Sequence, residues 1–490
     1  MKTKKVTVSV LQILVFILVI SIIIASSILV INKIKASKSN NTSSQGEKSE
    51  FFSGMGTEES PYLIQSATDL ANISKSVNNG KNYTQRYFKL MNDIDFAESE
   101  ITPIGLAKDE SHQNTFSGIF DGNNKTIMGL KVTAEAELRT ANTAIFENNN
   151  GIIKNLRIIG NIEISENLSN ELKMSFLCTN NYGTIQNCKV EGTINGKVSD
   201  VENASKVSAL VSQNFGDILD SSSFVNITTN LAKAGICNIN EGNITNCSNL
   251  GIIMEEDLSL NYTSGIVCNN AGTISNCTNS AKIQGYLASG VAGTSSGNVI
   301  ASQNKGEVVN VFVSDETVET RSCVAGICIL LDSNATIENC RNSGEITGTE
   351  IIAGLCGTNN GKVVNSTNET KASKKENAKN KNVDISGICA INNDMSLIDT
   401  CTNSADITAI NNGKQTINIA TIGANITKNV TIQNCANSGK LTSEGKNIQV
   451  SDDAGDNITG CANSGRGAIE PTGDATVNVG MIFGNINKEE

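Results

Sequence analysis

Paired carboxylates are the side chains of this sequence whose spacing could most directly do chemistry, because such pairs act as the general acid and base of glycan cleavage. Asp93 and Asp95 stand two residues apart in the run NDIDF, so on a strand they project to the same side. Neither recurs at a fixed spacing later in the chain, and no Arg or Lys adjoins them in sequence. We interpret them as turn or cap residues, with a catalytic pair and a Ca²⁺ site as the alternatives.

The other candidate groups for catalysis or metal binding are isolated. Asp452 and Asp453 are adjacent and therefore point apart on a strand, and Glu255–Asp257, which includes Glu256, belongs to a predicted insertion loop. His112 is the one histidine, which excludes the zinc-protease motif His-Glu-x-x-His and any Cys/His metal site of usual spacing. We predict a protein that is not an enzyme and has no catalytic, cofactor-binding or metal-binding residues.

The fourteen cysteines show how the chain is organised, because half of them occupy one slot of a repeat. The segment Ala234–Ile253, AGICNINEGNITNCSNLGII, is matched by Ser264–Ile283, SGIVCNNAGTISNCTNSAKI, with unchanged spacing between glycine and cysteine. Nine intervals between the first and last slots average about 30 residues, so this is a repeat protein. The slot is held by Cys188, Cys247, Cys277, Cys340, Cys401, Cys435 and Cys461, by Ser221, Ser302 and Ser366 in weaker copies, and earlier by Leu156.

Each repeat contains three short runs that are rich in Ile, Val and Thr and are bounded by Gly and Asn. These runs are too short for helices and predict strands. Three strands per turn, stacked on the same strands of the next turn about 4.8 Å away, make a parallel β-helix of about ten or more coils. Equivalent apolar residues then form interior ladders, one with Ile236, Ile266, Val291, Ile327, Leu355 and Ile388 and another with Ile244, Ile274 and Val299.

Asparagines flank the cysteine slot on both sides. Asparagine tolerates a positive φ at a bend, and its amide can bond to the asparagine of the coil above and below. We therefore predict structural asparagine ladders. The residues before the slot are Asn187, Asn246, Asn276, Asn339, Asn365 and Asn434, and those after it are Asn249, Asn279, Asn304, Asn342, Asn403, Asn437 and Asn463.

The cysteines are interpreted as small core residues. Their ladder positions are shared with Leu156, Ser221, Ser302, Val267 and Ala292, and parallel coils place neighbouring Cβ vectors side by side, which disfavours disulfide geometry. We expect free buried thiols. Disulfides are the first alternative, because the count is even and the chain is expected to be exported; a metal or redox role is the second.

The N-terminus predicts a membrane anchor. Residues 1–5 carry three lysines, and residues 6–32 run without a charge for long enough to span a bilayer. We predict a cytoplasmic tail at 1–5, an uncleaved transmembrane signal anchor at 6–32 and a flexible linker at 33–50, with the repeats outside a single-pass cell-membrane protein. A signal peptide cleaved near Ala25-Ser26-Ser27 is the alternative.

The stretch that follows carries a family resemblance. GMGTEESPYLIQSATDLANIS, YFKLMNDIDF, TPIG and FSGIFDGNNKTIMGLKV, between Gly54 and Val132, resemble the opening of bacterial surface proteins with GLUG-motif repeats. GLCG at Gly354–Gly357 is similar to the GLUG tetrad. A similar region occurs in the non-catalytic parts of zinc metalloproteases that cleave immunoglobulin A. The resemblance implies a right-handed parallel β-helix on an extracellular protein without known chemistry.

On its own residues, 51–132 predicts an N-terminal cap and first coil, and 133–490 the GLUG-like repeats. Ser66–Ser76 predicts a short helix with Ser66 or Thr68 as N-cap and Leu70 and Ile73 on one face. Phe116–Val132 predicts the first coil around an Asp121-Gly122 turn. The cap would cover backbone groups that a solenoid end exposes.

The net charge and the C-terminal repeats indicate which kinds of partner to expect. A net charge of −11 argues against nucleic acid as a partner. The lysine-rich loop Asn368–Asp384 is interpreted as a solvated insertion, with a docking site for an acidic partner as the alternative. Val477–Asn485, VNVGMIFGN, is similar to Ile417–Asn425, INIATIGAN, and this similarity predicts that the chain stops inside another coil. We expect self-association through this uncapped end, which a strict monomer in light scattering would contradict.

Insertions follow the third strand of several coils and should emerge along one edge. A variable edge on a rigid rod is typical of binding proteins. We predict a membrane-anchored, surface-displayed binding, adhesion or scaffold protein of the bacterial envelope, with an extracellular glycan or protein as partner. A carbohydrate-active lyase or hydrolase and a passive spacer are the alternatives. The insertions are Ser199–Lys206, Met254–Thr263, Val311–Ser322, Asn368–Asp384, Asn411–Gln415 and Thr442–Val450.

Overall fold

A computed structural model gives the fold of most of the chain. It describes residues 46–97, 102–106, 114–134, 143–168, 171–199, 204–255, 257–310, 318–374, 382–409, 416–427, 429–444, 447–450, 458–465, 467–470, 476–479 and 486–487. The chain divides into two units after Glu47, and the described residues lie almost entirely in the second unit. No helix among them is long and apolar enough to cross a membrane. The predicted tail at 1–5, the anchor at 6–32 and most of the linker at 33–50 lie outside them.

The N-terminal region combines one helix with an aromatic cluster. The helix is Ala67–Asn78, and Ser66 is its N-cap, forming a capping box with Asp69; Thr68 lies inside the first turn. Its buried face holds Leu70, Ile73, Ser74 and Val77, as the spacing predicts. Beside it the buried rings of Phe52, Tyr62, Tyr83, Phe88, Phe116, Phe120 and Phe146 contact one another.

The remaining described residues form parallel strands in three sheets, I, II and III, which the chain visits in turn in each coil. Sheet I has 11 strands and sheet II has 10. Sheet I contains Lys173–Met174, Lys206–Ser208, Ala232–Ala234, Tyr262–Ser264, Leu287–Ser289, Cys323–Ala325, Ile351–Ala353, Val383–Ser386, Thr416–Ala420, Asn447–Val450 and Thr476–Val479. Sheet II contains Phe146–Asn149, Cys178–Asn181, Val211–Asn214, Cys237–Asn240, Val267–Asn270, Ala292–Ser295, Cys328–Leu331, Cys356–Asn359, Cys389–Asn392 and Gly423–Ile426.

Sheet III has 34 strands. Its first strands are Tyr62–Ile64, Tyr87–Leu90, Ile94–Asp95, Ile119–Ala134, Ile152–Ile164, Thr184–Gln186, Lys189–Asn195, Asp217–Leu219 and Ser222–Thr228. Three rows continue it. The first row is Asn243–Thr245, Thr273–Ser275, Asn298–Ile300, Thr336–Glu338, Lys362–Val364, Leu397–Asp399, Thr431–Gln433 and Ile458–Thr459; the second is Ser248–Asn249, Thr278–Asn279, Gln303–Asn304, Arg341–Asn342, Thr367–Asn368, Thr402–Asn403, Ala436–Asn437 and Ala462–Asn463. The third is Ile253–Met254, Ile283–Gln284, Val308–Val309, Ile346–Gly348, Ala372–Lys374, Ile407–Ala409, Leu441–Glu444, Gly467–Glu470 and Ile486–Asn487.

This arrangement confirms a parallel β-solenoid and corrects the content of each coil. The three predicted runs belong to sheets II and III, whereas sheet I is an additional strand that precedes Gly-Ile-Cys. Some of its sequences, such as Ala232–Ala234 and Tyr262–Ser264, have no run of large apolar residues, so they were not recognised as strands. The predicted Asp121-Gly122 turn is also displaced, since the left-handed residues are Asn123 and Asn124, with φ of 51° and 57°.

Both predicted apolar ladders lie in the main core and are fully buried. Ile244, Ile274 and Val299 pair directly in the parallel register. Along the strands of sheets I and II, side chains alternate between the main core and the opposite face of the sheet. Val324, Ile327 and Cys328 belong to the main core, whereas Cys323 and Ile329 belong to a second, separate apolar cluster. The bend between sheets I and II is therefore packed on its outer side as well as its inner side.

The asparagine ladder after the slot is confirmed, whereas before the slot the positive φ is confirmed but a continuous ladder is not, because the amides of Asn246 and Asn434 donate to Asp220 and Asp399. All six residues before the slot have a positive φ, between 49° and 57°. After the slot, the amide of each buried asparagine donates to the carbonyl oxygen of the next at 2.8 to 2.9 Å. A Cβ on Gly265 would lie 2.6 Å from Asn279 Cγ, which explains the glycine of the repeat. This ladder contains Asn249, Asn279, Asn304, Asn342, Asn368, Asn403 and Asn437, so Asn368 was a member that the prediction missed; the side chain of Asn463 lies outside the described residues.

The structure also tests the predictions about the cysteines and about the C-terminal repeat. All fourteen cysteines are free thiols, and every one except Cys461 is buried. The two similar C-terminal segments pair with each other in the structure, because Ile417 is aligned with Val477 in sheet I. Thr476–Val479 nevertheless lies between Thr416–Ala420 and Asn447–Val450, so these last strands do not follow chain order.

Candidate functional site

The carboxylate pair singled out by spacing has a structural role. Asp93 Oδ1 accepts a hydrogen bond from the backbone N–H of Thr126 at 2.8 Å, and Asp95 Oδ1 accepts one from the N–H of Ala97 at 2.8 Å. Each carboxylate therefore holds a neighbouring backbone segment of the first coils. These contacts account for both residues as turn and cap groups.

The remaining candidates do not converge either. Glu255 is buried and accepts hydrogen bonds from the N–H groups of Ser259 at 2.8 Å and Tyr286 at 2.6 Å. Asp257 pairs with Lys197 at 3.0 Å on the surface. Across the described part of the chain, no three His, Cys, Asp or Glu side chains are placed to hold a metal ion. His112, Glu256, Asp452 and Asp453 lie outside the described residues.

The insertions, in contrast, do share one place in the fold. Each of the six predicted insertions leads into a strand of sheet I, namely those that begin at Lys206, Tyr262, Cys323, Val383, Thr416 and Asn447. The described ends of these insertions therefore lie along one edge of the stack of sheet I strands, as predicted. We call this the loop edge.

Beside the loop edge lies the outer bend, which we define as the outward-facing side chains of sheets I and II. Side chains of sheet II reach sheet I across it. Asn238 Nδ2 donates to the carbonyl oxygens of Val207 at 3.1 Å and Ala232 at 3.0 Å, and Cys268 Sγ donates to that of Lys233 at 3.1 Å. The two sheets thus enclose a narrow seam that runs along the stack.

The first four strands of sheet II contribute to this seam polar side chains that each have one atom without a hydrogen-bond partner among the described residues. The second residues of successive sheet II strands are Glu147, Thr179, Ser212 and Asn238, stacked in register. Their exposed fractions are 8%, 1%, 0% and 0%. Glu147 Oε2, Thr179 Oγ1, Ser212 Oγ and Asn238 Oδ1 have no hydrogen-bond partner among the described residues. Buried polar atoms need a partner, so this column is suited to ordered water.

We call this part of the outer bend its polar half, and burial shifts the pKa values of its charged groups. It raises the pKa of Glu147 to about 7, and the charge of Lys173 opposes the shift. Burial also lowers the pKa of Lys173, with help from nearby Lys206. Lys206 Nζ lies 2.5 Å from Glu171 Oε1 at the rim. The half therefore combines a carboxyl group that titrates near neutrality with two lysines.

The next coils make the outer bend apolar. Tyr286, Leu287, Cys323, Ile329 and Ile351 form the second cluster, and Leu258, Tyr262 and Val318 from the loop edge pack against it. Beyond it, Arg321 Nη1 lies 2.7 Å from the buried Asp384 Oδ2, and Asn418 Nδ2 donates to Asp384 Oδ1 at 2.5 Å. Described residues of the loop edge thus pack directly against the outer bend.

Sequence reasoning missed the polar column and a second asparagine ladder. In that ladder Asn149, Asn181, Asn214, Asn240 and Asn270 pass amide hydrogen bonds along sheet II at 2.8 Å. The spacing of its asparagines from the following glycine was a usable signal. The polar column has no such signal, because its position holds a different residue type in each of these four coils.

Comparison with known proteins gives partial matches. No protein-family model matches the chain. A protein of Evansella cellulosilytica named "Putative Gly-rich membrane protein" is 31% identical over 153 residues, which are 30% of this chain and 16% of that protein. Halomucin of Haloquadratum walsbyi is 29% identical over 164 residues, 31% of this chain and 2% of halomucin. The chain therefore spans only a small part of these relatives' lengths, and the GLUG resemblance stays a prediction.

One solved structure is also similar. It is a crystal structure of a "putative immunoglobulin A1 protease" from Bacteroides ovatus, with 17% identity and a TM-score of 0.37. The similarity covers 59% of this chain and 77% of that one.

Proposed function

We propose that this chain is a non-catalytic binding protein of the bacterial cell surface, in which the loop edge and the outer bend form the contact surface. The proposal includes a right-handed solenoid, a single anchor at 6–32 and an extracellular repeat domain. Its partner would be an extracellular glycan or protein. Adhesion and envelope scaffolding are the two uses that such a surface would serve.

One observation carries the proposal: all six insertions enter sheet I beside a seam in which four buried polar atoms have no hydrogen-bond partner among the described residues. Variable loops on a regular scaffold are the usual location of binding residues. A solenoid offers an extended surface for them. The named relatives add support, since one name describes a membrane protein and the other is halomucin.

The net charge of −11 also supports this choice of partner, because it disfavours binding to nucleic acid. The described carboxylates support a non-catalytic role. Asp93, Asp95 and Glu255 each accept backbone hydrogen bonds and are engaged in structure. A glycan partner would find hydrogen-bonding groups at the repeat of the coils, about 4.8 Å.

The test is binding of the purified full chain to a panel of polysaccharides and extracellular-matrix proteins, with release of product monitored on the glycans. We expect saturable binding without product. Lys206→Glu should weaken it at least tenfold, because Lys206 lies at the rim of the outer bend. Lys282→Glu is the matched control, since Lys282 also pairs with a glutamate, Glu307 at 3.0 Å, but each of these two residues stands just before a strand of sheet III.

Three results would count against the proposal. Release of shortened glycans would favour a carbohydrate-active enzyme. Failure to bind any member of the panel would favour a passive spacer. Equal loss of binding in Lys206→Glu and Lys282→Glu would show that contact does not depend on the outer bend.

A further inference from the structure

Cysteine thiols stack directly on one another in the last described coils. Thr402 pairs with Ala436, and Ala436 with Ala462, so the preceding residues Cys401, Cys435 and Cys461 are neighbours in the slot column. Two other sets of cysteines are also neighbours, and all of their members are buried: Cys247 with Cys277 in the same column, and Cys328, Cys356 and Cys389 in sheet II. The run in the last described coils differs from them because it contains Cys461, which is only partly buried.

The three side chains adopt the same orientation. Each Sγ donates to the carbonyl oxygen two residues before it, at 3.4 Å in Cys401, 3.2 Å in Cys435 and 3.4 Å in Cys461. Each also points at a carbonyl oxygen of the preceding coil, at 3.4, 3.9 and 3.9 Å. Because the rotamers repeat, neighbouring sulfur atoms are separated by the strand spacing of about 4.8 Å.

That spacing matches a linear sulfur–metal–sulfur bridge. Metal–sulfur bonds of about 2.3 Å, the length found for Zn–S, give a linear bridge of roughly 4.6 Å. Soft d¹⁰ cations such as Cu(I) prefer thiolate ligands and accept two-coordinate geometry. Zn²⁺ requires about four ligands, which the described residues do not bring together.

Accessibility selects one pair within the run. Cys401 and Cys435 are 0% and 1% exposed, whereas Cys461 is only partly buried. Cys461 Sγ also accepts a hydrogen bond from the backbone N–H of Cys435 at 3.4 Å. Such N–H donors to sulfur stabilise a metal-bound thiolate.

We propose that Cys435 and Cys461 form a two-coordinate site for a soft monovalent cation, with Cu(I) as the representative. Binding forms two Cu–S bonds and breaks two S–H bonds, so Cu⁺ and two thiols give a dithiolate complex of charge −1 and two protons. The oxidation state of copper does not change. Uptake therefore strengthens as pH rises.

Serine variants test the site cleanly, because the natural chain already carries serine in this slot at Ser221, Ser302 and Ser366. Cys435→Ser and Cys461→Ser should therefore fold. The matched controls are Cys188→Ser and Cys340→Ser, whose neighbours in the column are Leu156 and Ser221, and Ser302 and Ser366, respectively. Cys401→Ser is a further control that keeps the proposed pair.

The measurement is competition between the full chain and a chromophoric Cu(I) chelator, without oxygen. We expect one tightly bound equivalent in the wild-type chain and in all three controls, with two protons released. Cys435→Ser and Cys461→Ser should each lose at least 100-fold in affinity, and Zn²⁺ should not compete. Unchanged affinity in Cys461→Ser, equal binding of Zn²⁺, or a Cys435–Cys461 disulfide in the untreated protein would each overturn the proposal.

Discussion

Asn304 provides the sharpest test of what holds the solenoid together. Its side chain is fully buried at the centre of the ladder that follows the cysteine slot. Its Oδ1 accepts from Asn279 Nδ2 at 2.8 Å, and its Nδ2 donates to Asn342 Oδ1 at 2.8 Å and to the carbonyl oxygen of Gly306 at 2.9 Å. Asn304→Ala removes all three hydrogen bonds and leaves buried groups on both neighbouring coils.

The expected loss follows from these contacts. Three intramolecular hydrogen bonds at about 1 kcal/mol each sum to roughly 3 kcal/mol. Solenoid coils interact mainly with their neighbours, so the loss should be local. Hydrogen exchange of the amides of Gln303, Lys305 and Arg341, which bond to adjacent coils, should accelerate roughly 100-fold, since 1.4 kcal/mol corresponds to a factor of about ten.

The matched control is Asn298→Ala, an exposed asparagine on the preceding strand of the same coil. We expect it to change the free energy of local opening by less than about 0.5 kcal/mol. If Asn304→Ala accelerates exchange no more than Asn298→Ala does, the ladder contributes little to stability and the reasoning is refuted.

Three further predictions concern buried titratable groups. Burial lowers the pKa of Lys233, against the opposing charge of Glu255, so the stability of the wild-type chain rises with pH towards the ordinary lysine pKa; Lys233→Met should flatten this rise in urea denaturation, and an unchanged pH dependence would contradict this. The pKa of Glu147 is raised to about 7, so the stability that its protonated form contributes is lost as pH rises from the ordinary glutamate pKa to about 7. Glu147→Gln should therefore reduce the change of the denaturation midpoint with pH across that range. An unchanged pH profile would count against the assignment. Denatured, unreduced protein should expose fourteen reactive thiols, and the native chain should react rapidly only at Cys461; a count well below fourteen would show disulfides instead.

Sequence could predict those parts of the fold that repeat at a fixed spacing. Asn304 and Cys277 were recognisable because each stands at a constant distance from the glycines of its coil, and Ser66 because a capping box follows known rules. Ala232–Ala234 was not recognisable as a strand, since it has no run of large apolar residues. Register, rather than residue type, decides such positions.

The candidate site also has parts that the sequence could predict and parts that it could not. The loop edge could be predicted because insertions interrupt the repeat at one point of the coil. The polar column of Glu147, Thr179, Ser212 and Asn238 could not, because its members differ in type and are brought together only by the pairing of successive sheet II strands. Likewise Asp93 and Asp95 share a spacing that suggests chemistry, yet each bonds to backbone.

The most direct test of the central claim is hydrogen exchange of the full chain with and without a ligand captured from the binding panel. Contact through the loop edge and the outer bend predicts slower exchange in Lys206–Ser208 and Tyr262–Ser264 and in the connections that lead into them. Exchange in the strands of sheet III, such as Thr273–Ser275, should be unchanged. Protection confined to sheet III, or none at saturating ligand, would contradict the account.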